Sequence, residues 1–234
     1  MSAAIFLYDY TGIMAQPWLD AGYTCYCFDG QHEGHTIEGK LHKVGIMFDP
    51  LNLAKGMSFI QDTLKNEQKI SFVFGFPPCD DLAGSGAAHW AAKAARNPDF
   101  QQHAMALALF VRDVGEYYKV PWGFENPVGR LSTLFRKANF YFHPNEYGGY
   151  LPKEDIHPMY PEYIPPRDAY KKKTGIWHNA LFKKPDIIPV EPQPSIGQGS
   201  SDMHNKLGGK SKKTKNIRSA TPRGFALAVY LKNS

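Results

Sequence analysis

The sequence predicts an α/β protein with a mostly parallel sheet in its N-terminal part and a loop-rich C-terminal half. Apolar segments of strand length alternate with helix-compatible segments over residues 1–140, which is the pattern of a parallel sheet covered by helices. Several predicted strands end in polar residues, and ligands bind at the carboxyl edge of such a sheet. Residues 141–170 are crowded with Pro, Tyr and Gly, which interrupt regular structure.

Four apolar runs of strand length open the chain: AIFLYDY (4–10), YTCYCFD (23–29), KVGIMFD (43–49) and ISFVFGF (70–76). A turn at Thr11-Gly12 and a short helix in MAQPWLDAG separate the first two runs. The second and third runs end in the acids Asp29 and Asp49. In nucleotide-binding folds of this kind, an acid after the second strand hydrogen-bonds ribose hydroxyls.

The rest of the chain contains fewer regular elements. A long helix is predicted over 100–119, and VPWGFENP then forms a strand that stops at Glu125-Asn126-Pro127. KTGIWHNALF is a further strand, residues 193–215 resemble a loop, and TPRGFALAVYLKN forms a closing helix with Pro222 in its first turn. The predicted organisation is a cofactor-binding and catalytic core (1–140), a basic and aromatic substrate-facing segment (141–216) and a C-terminal helix that returns to the core (217–234).

The composition is that of a globular protein, with 43% hydrophobic and 21% charged residues among 234. No apolar run approaches the roughly 20 residues that span a bilayer, and the N-terminus lacks a basic signal-peptide region, so we expect a cytosolic protein without a membrane partner. Cys25 and Cys27 are expected to be buried packing residues rather than part of a disulfide framework. His32 and His35 lack a third ligand at suitable spacing, which favours a surface loop over a metal site.

The net charge of +5 is concentrated near the C-terminus. Six cations occur there without an intervening acid: Lys206, Lys210, Lys212, Lys213, Lys215 and Arg218. Such a run suits a polyanion such as nucleic acid. A solvated loop of lysines is the alternative interpretation.

The stretch FPPCDDLAGSG places a single cysteine, Cys79, directly after the fourth predicted strand. A thiolate is a strong nucleophile at neutral pH when its site lowers its pKa or removes its proton. Glu125, at the end of the next strand, supplies a carboxyl group that could protonate or hold a ring under attack. The pair is consistent with covalent addition to an electron-poor ring, and a buried structural thiol is the alternative for Cys79.

Taken in order, these motifs resemble the cytosine-5 DNA methyltransferases, in particular their short phage-encoded members. FPPCDDLAGSG is similar to the Pro-Cys nucleophile loop of the family, which implies that Cys79 adds to carbon 6 of cytosine. FENP is similar to the motif in which Glu125 contacts the target base and Asn126 shapes the loop. The resemblance covers most of the chain and implies a Rossmann-like, S-adenosylmethionine-dependent methyltransferase fold, with the target base flipped out of duplex DNA.

The same resemblance implies the cofactor contacts. The first turn of the cofactor site is matched by YDYTG with the following Pro-Trp. The ribose-binding acid is supplied by CFDGQH, and the acid near the adenine amine by FDPLN. The final motif of the family is matched by RSATPRGFA. The residues implied to bind S-adenosylmethionine are Asp9, Tyr10, Thr11, Gly12, Trp18, Asp29, Gly30, Asp49, Pro50, Pro77, Ser219 and Thr221.

Substrate contacts are predicted from the Cys79 loop and from the basic second half: Asp80, Ser85, Trp90, Lys172, Lys210, Lys212, Lys213, Lys215 and Arg218. Asp80 and Asp81 could instead cap the following helix. The four tryptophans, Trp18, Trp90, Trp122 and Trp177, are more typical of packing, with Trp90 as the candidate base stacker.

The chain departs from the family pattern in three places. Met14 stands where the second glycine of the first turn is expected. The Gln-x-Arg-x-Arg motif of the family is absent. Cations in about the right order are Arg167, Lys171, Lys172 and Lys173, of which Arg167 is the candidate catalytic cation. The segment before RSATP is too short for an ordinary target-recognition domain. We therefore expect low sequence specificity on DNA. There are three alternatives to a DNA methyltransferase: the same chemistry on a free deoxycytidine nucleotide, transfer of a larger group, or a catalytically silent binding relative.

Overall fold

The computed structural model describes residues 2–194, 207 and 211–234, so Lys206 and Lys210 lie outside the described residues. The strands are β1 (Ala3–Leu7), β2 (Thr24–Asp29), β3 (His35–Glu38), β4 (Leu41–Gly45), β5 (Ile70–Gly75), β6 (Trp122–Pro127), β7 (Phe140–Phe142) and β8 (Thr174–His178). The α-helices are α1 (Gln16–Asp20), α2 (Leu53–Thr63), α3 (Trp90–Arg96), α4 (Phe100–Tyr118), α5 (Leu131–Leu134), α6 (Lys212–Ser219) and α7 (Arg223–Asn233).

The eight strands form one sheet in the order β3-β4-β2-β1-β5-β6-β8-β7. Strands β4, β2, β1, β5 and β6 run parallel to one another, whereas β3 is antiparallel to β4 and β8 is antiparallel to β6. A central parallel sheet with one antiparallel strand beside β6 is the arrangement of the Rossmann-like methyltransferase fold. The fold predicted from the sequence is confirmed.

The chain divides into two compact units. Unit 1 comprises 1–141, 174–183 and 233–234, and unit 2 comprises 142–173 and 184–232. The core of unit 1 consists of buried residues of β1, β2, β4, β5, β6 and β8 together with the buried face of α4 and Ile60 of α2. Trp18, Trp122 and Trp177 are buried there, as packing residues should be. Cys25 and Cys27 are also buried in β2, which confirms the packing prediction for both.

Several local predictions differ from the structure. KVGIMFD forms a strand only as far as Gly45, so Asp49 lies in the loop beyond β4. The predicted loop at 193–215 is wrong for its last residues, because α6 begins at Lys212. The Ser211 side chain caps this helix by accepting the Thr214 N–H at 3.1 Å, and Thr214 and Ile217 are buried. Pro222 directly precedes α7 rather than lying in its first turn.

Neither the edge strands β3 and β7 nor the helix α2 is predicted from the sequence. Strand β3 is exposed at all four positions, so it lacks the apolar alternation that marks a half-buried strand.

Within the described residues, no helix has the length and apolar composition needed to cross a bilayer.

Candidate active site

Cys79 lies in a tight turn just beyond the carboxyl end of β5. Its carbonyl accepts the N–H groups of Leu82 at 3.0 Å and Ala83 at 2.8 Å. Pro77 and Pro78 restrict the approach to this turn because each proline fixes its own φ angle. The Cys79 side chain is half-buried, which leaves part of its surface open to a substrate.

The turn is joined to the end of β6 and to the loop that follows it. The Asn126 amide, which is fully buried, donates through Nδ2 to the Pro77 carbonyl at 3.3 Å. Farther along, the Gly84 N–H donates to the Val128 carbonyl at 3.0 Å, and the Arg130 N–H donates to the Leu82 carbonyl at 2.8 Å. These bonds make the Cys79 loop (77–84) and the Glu-Asn-Pro segment (125–130), which comprises the end of β6 and the residues after it, one hydrogen-bonded unit.

Gly129 permits the close approach of these two loops. It forms an antiparallel bridge with Ala83, and a Cβ atom at position 129 would lie 1.9 Å from the Leu82 carbonyl oxygen. No side chain fits in that space, so the pairing of the loops depends on glycine at this position.

Glu125 lies at the same edge of the sheet as Cys79. Gly75 of β5 pairs with Phe124 of β6, and Glu125 is the next residue of β6. Both strands therefore deliver their functional side chains at their carboxyl ends, where the sequence predicts the site. The Glu125 side chain is half-buried.

The residues after Cys79 form a solvent-facing segment held by a few polar contacts. Lys93 of α3 pairs with the Asp81 carboxylate and donates to the Asp80 carbonyl at 3.1 Å. The 3-10 helix at Gly84–His89 has Ala83 at its N-cap position and no side-chain cap from that residue, and the capping interpretation of Asp80 and Asp81 stays a prediction. Ser85 is exposed in this 3-10 helix, and Trp90 is half-buried at the start of α3.

A cavity of about 180 Å³ lies beside this segment. Its apolar lining includes Pro50, Pro78, Phe100 and Leu107, and its polar lining includes Asp80, Asp81 and His103. Because Pro50 follows Asp49, the cavity connects the loop after β4 with the Cys79 loop. Two residues assigned from sequence to different roles, Pro50 to cofactor and Asp80 to substrate, line the same space.

The turn after β1 is organised by the Asp9 carboxylate. Its Oδ1 accepts the Gly12 N–H at 2.8 Å and the Thr11 hydroxyl at 3.1 Å, and Gly12 has φ +69°, where glycine is favoured. Asp9 is only 2% exposed, and this burial raises its pKa to about 6. Asp9 thus shapes the turn after β1 from within, and Tyr10, which is 37% exposed, presents its side chain outward.

The acids predicted for the cofactor lie on the same edge. Asp29 ends β2, and its Oδ1 accepts the Gln31 N–H at 2.7 Å next to Gly30. Asp49 is exposed after β4, and its Oδ1 accepts the Leu51 N–H at 2.9 Å. Trp18 has no exposed surface and stacks on Phe72 at 4.4 Å, which is a packing position rather than a surface for ligand contact.

The remaining predicted residues belong to unit 2. The Arg167 Nε donates to the carbonyls of Gly148 and Leu151, both at 3.2 Å, so this side chain helps to hold the loops of its own unit. Ser219 is exposed at the end of α6, and Thr221 is buried just after it. The roles of Arg167, Ser219 and Thr221 in catalysis and cofactor binding remain predictions.

Unit 2 brings two basic segments together. The Lys172 ammonium donates to the Arg218 carbonyl at 2.9 Å, which places the lysines at 171–173 next to the carboxyl end of α6. The exposed cations of this basic surface are Lys171, Lys173, Lys212, Lys213, Lys215 and Arg218. Among its described residues, unit 2 has twelve Lys and Arg against seven Asp and Glu, a net +5, whereas unit 1 has thirteen against fourteen, a net −1.

Gln101 and Arg130 belong to the site but carry no recognisable sequence signal. The Gln101 amide donates to the Asp81 carbonyl at 3.1 Å and accepts from Arg130 Nε at 3.3 Å. They tie α4 to both loops of the site. The position of Arg130, three residues after the Glu-Asn-Pro motif, is the one feature of the sequence that could have indicated its place near the site.

Comparison with known proteins gives little further information. No protein-family model matches the chain, and no curated protein matches it. Among solved structures, the chain is similar to a prophage-encoded E. coli protein described as a candidate DNA modification methyltransferase, with 14% identity and a TM-score of 0.41 over 82% of this chain and 53% of that one. The chain therefore spans about half the length of that protein. The fold assignment rests on the strand order and not on this likeness.

Proposed function

We propose that the protein is an enzyme that transfers a methyl group from S-adenosylmethionine to carbon 5 of cytosine in DNA, with low sequence specificity. The observation that carries the proposal is the joining of the Cys79 loop to the Glu125 strand. The Asn126 bond to Pro77 at 3.3 Å and the pairing of 82–84 with 128–130 hold a nucleophile and a carboxyl group at one sheet edge.

The residues at the ends of β1 and β2 fit the proposed cofactor. The turn ordered by Asp9 leaves Tyr10 exposed beside the carboxyl end of β1, and Asp29 ends the neighbouring strand as a ribose-binding acid would. The cavity between Pro50 and Pro78 adds a partly apolar space at the same edge. Bound there, S-adenosylmethionine would supply an electrophilic methyl group.

Cys79 and Glu125 would act on the cytosine ring. The Cys79 thiolate forms a bond from Sγ to carbon 6 while the Glu125 carboxyl group donates a proton to N3, so the electron pair moves toward carbon 5. Carbon 5 then takes the methyl group, and the electron pair of the broken sulfur–methyl bond stays on that sulfur. Loss of the carbon 5 proton to water, return of the N3 proton to the Glu125 carboxylate and departure of the Cys79 thiolate restore the ring.

The charge distribution supports DNA as the substrate. The positive surplus lies in unit 2, and the basic surface defined above combines residues 171–173 with α6. In the interpretation of a solvated lysine loop, these side chains would share no ordered surface, but Lys212, Lys213, Lys215 and Arg218 occupy exposed positions of one helix, α6, whose residues Thr214 and Ile217 are buried. Exposed cations gathered on one helix suit a phosphate backbone.

The test is a methylation assay with labelled S-adenosylmethionine and either duplex DNA or dCMP, followed by digestion and mass spectrometry for 5-methylcytosine. We expect label in DNA with the wild-type chain and none with Cys79→Ala, at an unchanged melting temperature. DNA that carries 5-fluorocytosine should form an SDS-stable complex that requires Cys79, because fluorine cannot leave carbon 5 as a proton does.

Two other outcomes distinguish the alternatives. Label in dCMP alone would show a nucleotide-modifying enzyme with the same chemistry. A chain that binds DNA or S-adenosylmethionine but gives no label and no SDS-stable complex would be a silent binding relative, and the enzymatic proposal would be wrong.

A further inference from the structure

A polar and aromatic contact at the end of β1 has no place in the functions assigned so far. It joins Tyr10 of the cofactor turn to His32 of the loop after β2, a residue predicted only as part of a surface loop. The two rings lie 5.5 Å apart with an interplanar angle of 30°. His32 is half-buried.

The backbone of the loop at 30–34 fixes where His32 lies. The His32 N–H donates to the Asp29 carbonyl at 3.3 Å, and the Gly45 N–H donates to the Gly34 carbonyl at 2.6 Å. Gly45 also lets the loop press against β4, because a Cβ atom there would lie 2.4 Å from the His32 carbonyl oxygen. The loop is thus held on the sheet and turns His32 toward the end of β1.

The His32 side chain reaches the cofactor turn through one further contact. Its Nε2 lies 3.4 Å from the Asp9 carbonyl oxygen. Because a carbonyl can only accept, this contact is a hydrogen bond when Nε2 carries the proton. Burial lowers the pKa of His32, and the Asp29 carboxylate opposes this effect, so the ring is neutral at neutral pH. A neutral imidazole has a proton on one of its two nitrogens, and Nε2 can be that nitrogen here.

Tyr10 depends on this neighbour for its orientation. The backbone around it is fixed by the Asp9 carboxylate, but among the described residues His32 is the only aromatic ring that contacts the Tyr10 ring. An aromatic side chain that is already oriented loses less conformational entropy when a ligand binds against it. An aromatic face also attracts a cationic group.

We infer that His32 is a positioning residue that holds the Tyr10 ring in the orientation in which it contacts the bound methyl donor. The inference rests on the proposed function, since it takes the ends of β1 and β2 as the site of S-adenosylmethionine. His32 would act through Tyr10 and would not touch the reacting atoms.

The experiment compares three variants of the full chain by calorimetric titration with S-adenosylmethionine and by steady-state kinetics. His32→Ala should raise the Kd and the KM for S-adenosylmethionine about tenfold, because the aromatic contact and the orientation of Tyr10 are lost. The kcat at saturating cofactor and the KM for DNA should not change. His32→Phe keeps a ring beside Tyr10 and should recover most of the affinity.

The control is His35→Ala, which removes an exposed histidine at the start of β3 whose Nε2 lies 3.0 Å from His42 Nδ1. Equal Kd values for wild type and His32→Ala would overturn the inference, as would a His32→Phe variant as weak as His32→Ala. A large drop in melting temperature with a parallel loss of kcat would show a structural role instead. If the wild-type chain does not bind S-adenosylmethionine, the proposed function fails as well, whereas normal binding without a His32 effect overturns this inference alone.

Discussion

Replacing Gly129 with alanine should detach the Cys79 loop from the strand that carries Glu125. The new Cβ would lie 1.9 Å from the Leu82 carbonyl oxygen and 2.9 Å from Gly84 N. The backbone must therefore move apart, and it gives up the bonds from Gly84 N to Val128 O and from Arg130 N to Leu82 O. Two hydrogen bonds at about 1 kcal/mol each, with about 1 kcal/mol of residual strain, amount to about 3 kcal/mol.

Differential scanning calorimetry and the methylation assay together test this prediction. A loss of about 3 kcal/mol corresponds to about 6–12 °C in the transition that melts unit 1, and methyl transfer should fall further because the nucleophile and the carboxyl group are no longer held together. Gly84→Ala is the matched control, since its Cβ would meet Val128 O at an ordinary 3.4 Å. Equal melting temperatures and activities for both variants would refute the reasoning.

Two other predictions concern charge. Burial raises the pKa of Asp9 to about 6, which is above its value in the unfolded chain. The native state therefore binds more protons than the unfolded state between about pH 4 and 6. As a result, the free energy of unfolding falls by about 3 kcal/mol as pH rises through that window. Asp9→Asn should remove this decrease in urea melts, and an identical pH slope in both proteins would contradict it. Lys212, Lys213 and Lys215 changed to Gln should weaken DNA binding and reduce the salt slope by about 2.7 if each contacts one phosphate. The exposed Lys55, Lys65 and Lys69 of unit 1 are the control, and a salt slope that does not change in the first variant would exclude the contact.

The parallel sheet could be predicted because its central strands are apolar on both faces. Residues 70–76 lack any polar alternation, and β5 lies between β1 and β6 in the sheet. Strand β3 gave no such signal, since all four of its residues are exposed and it depends on pairing with β4. Helix α6 was missed for a related reason, because its many lysines obscure the two buried positions at Thr214 and Ile217.

The candidate site shows the same division between local and tertiary information. Cys79 and Glu125 could be placed at one edge from the sequence, because parallel neighbouring strands end together. The pairing of Gly129 with Ala83 and the contact of His32 with Asp9 could not, since each joins residues more than 20 positions apart through loop backbone. Sequence patterns report which face of an element is buried, but they carry no information about which loop carbonyl a side chain will reach.

The charge difference between the two units bears on substrate choice. Unit 1 carries Cys79 and Glu125 but has a net charge of −1 over its described residues, so it offers no long-range attraction to a polyanion. A free nucleotide carries one phosphate group and would depend mainly on contacts near Cys79, whereas a DNA strand carries many phosphates that exposed cations can neutralise. If the basic surface serves binding, its removal should weaken methylation of DNA through the KM for DNA and leave any reaction with dCMP unchanged. An equal loss on both substrates would mean that the lysines support the fold rather than the substrate.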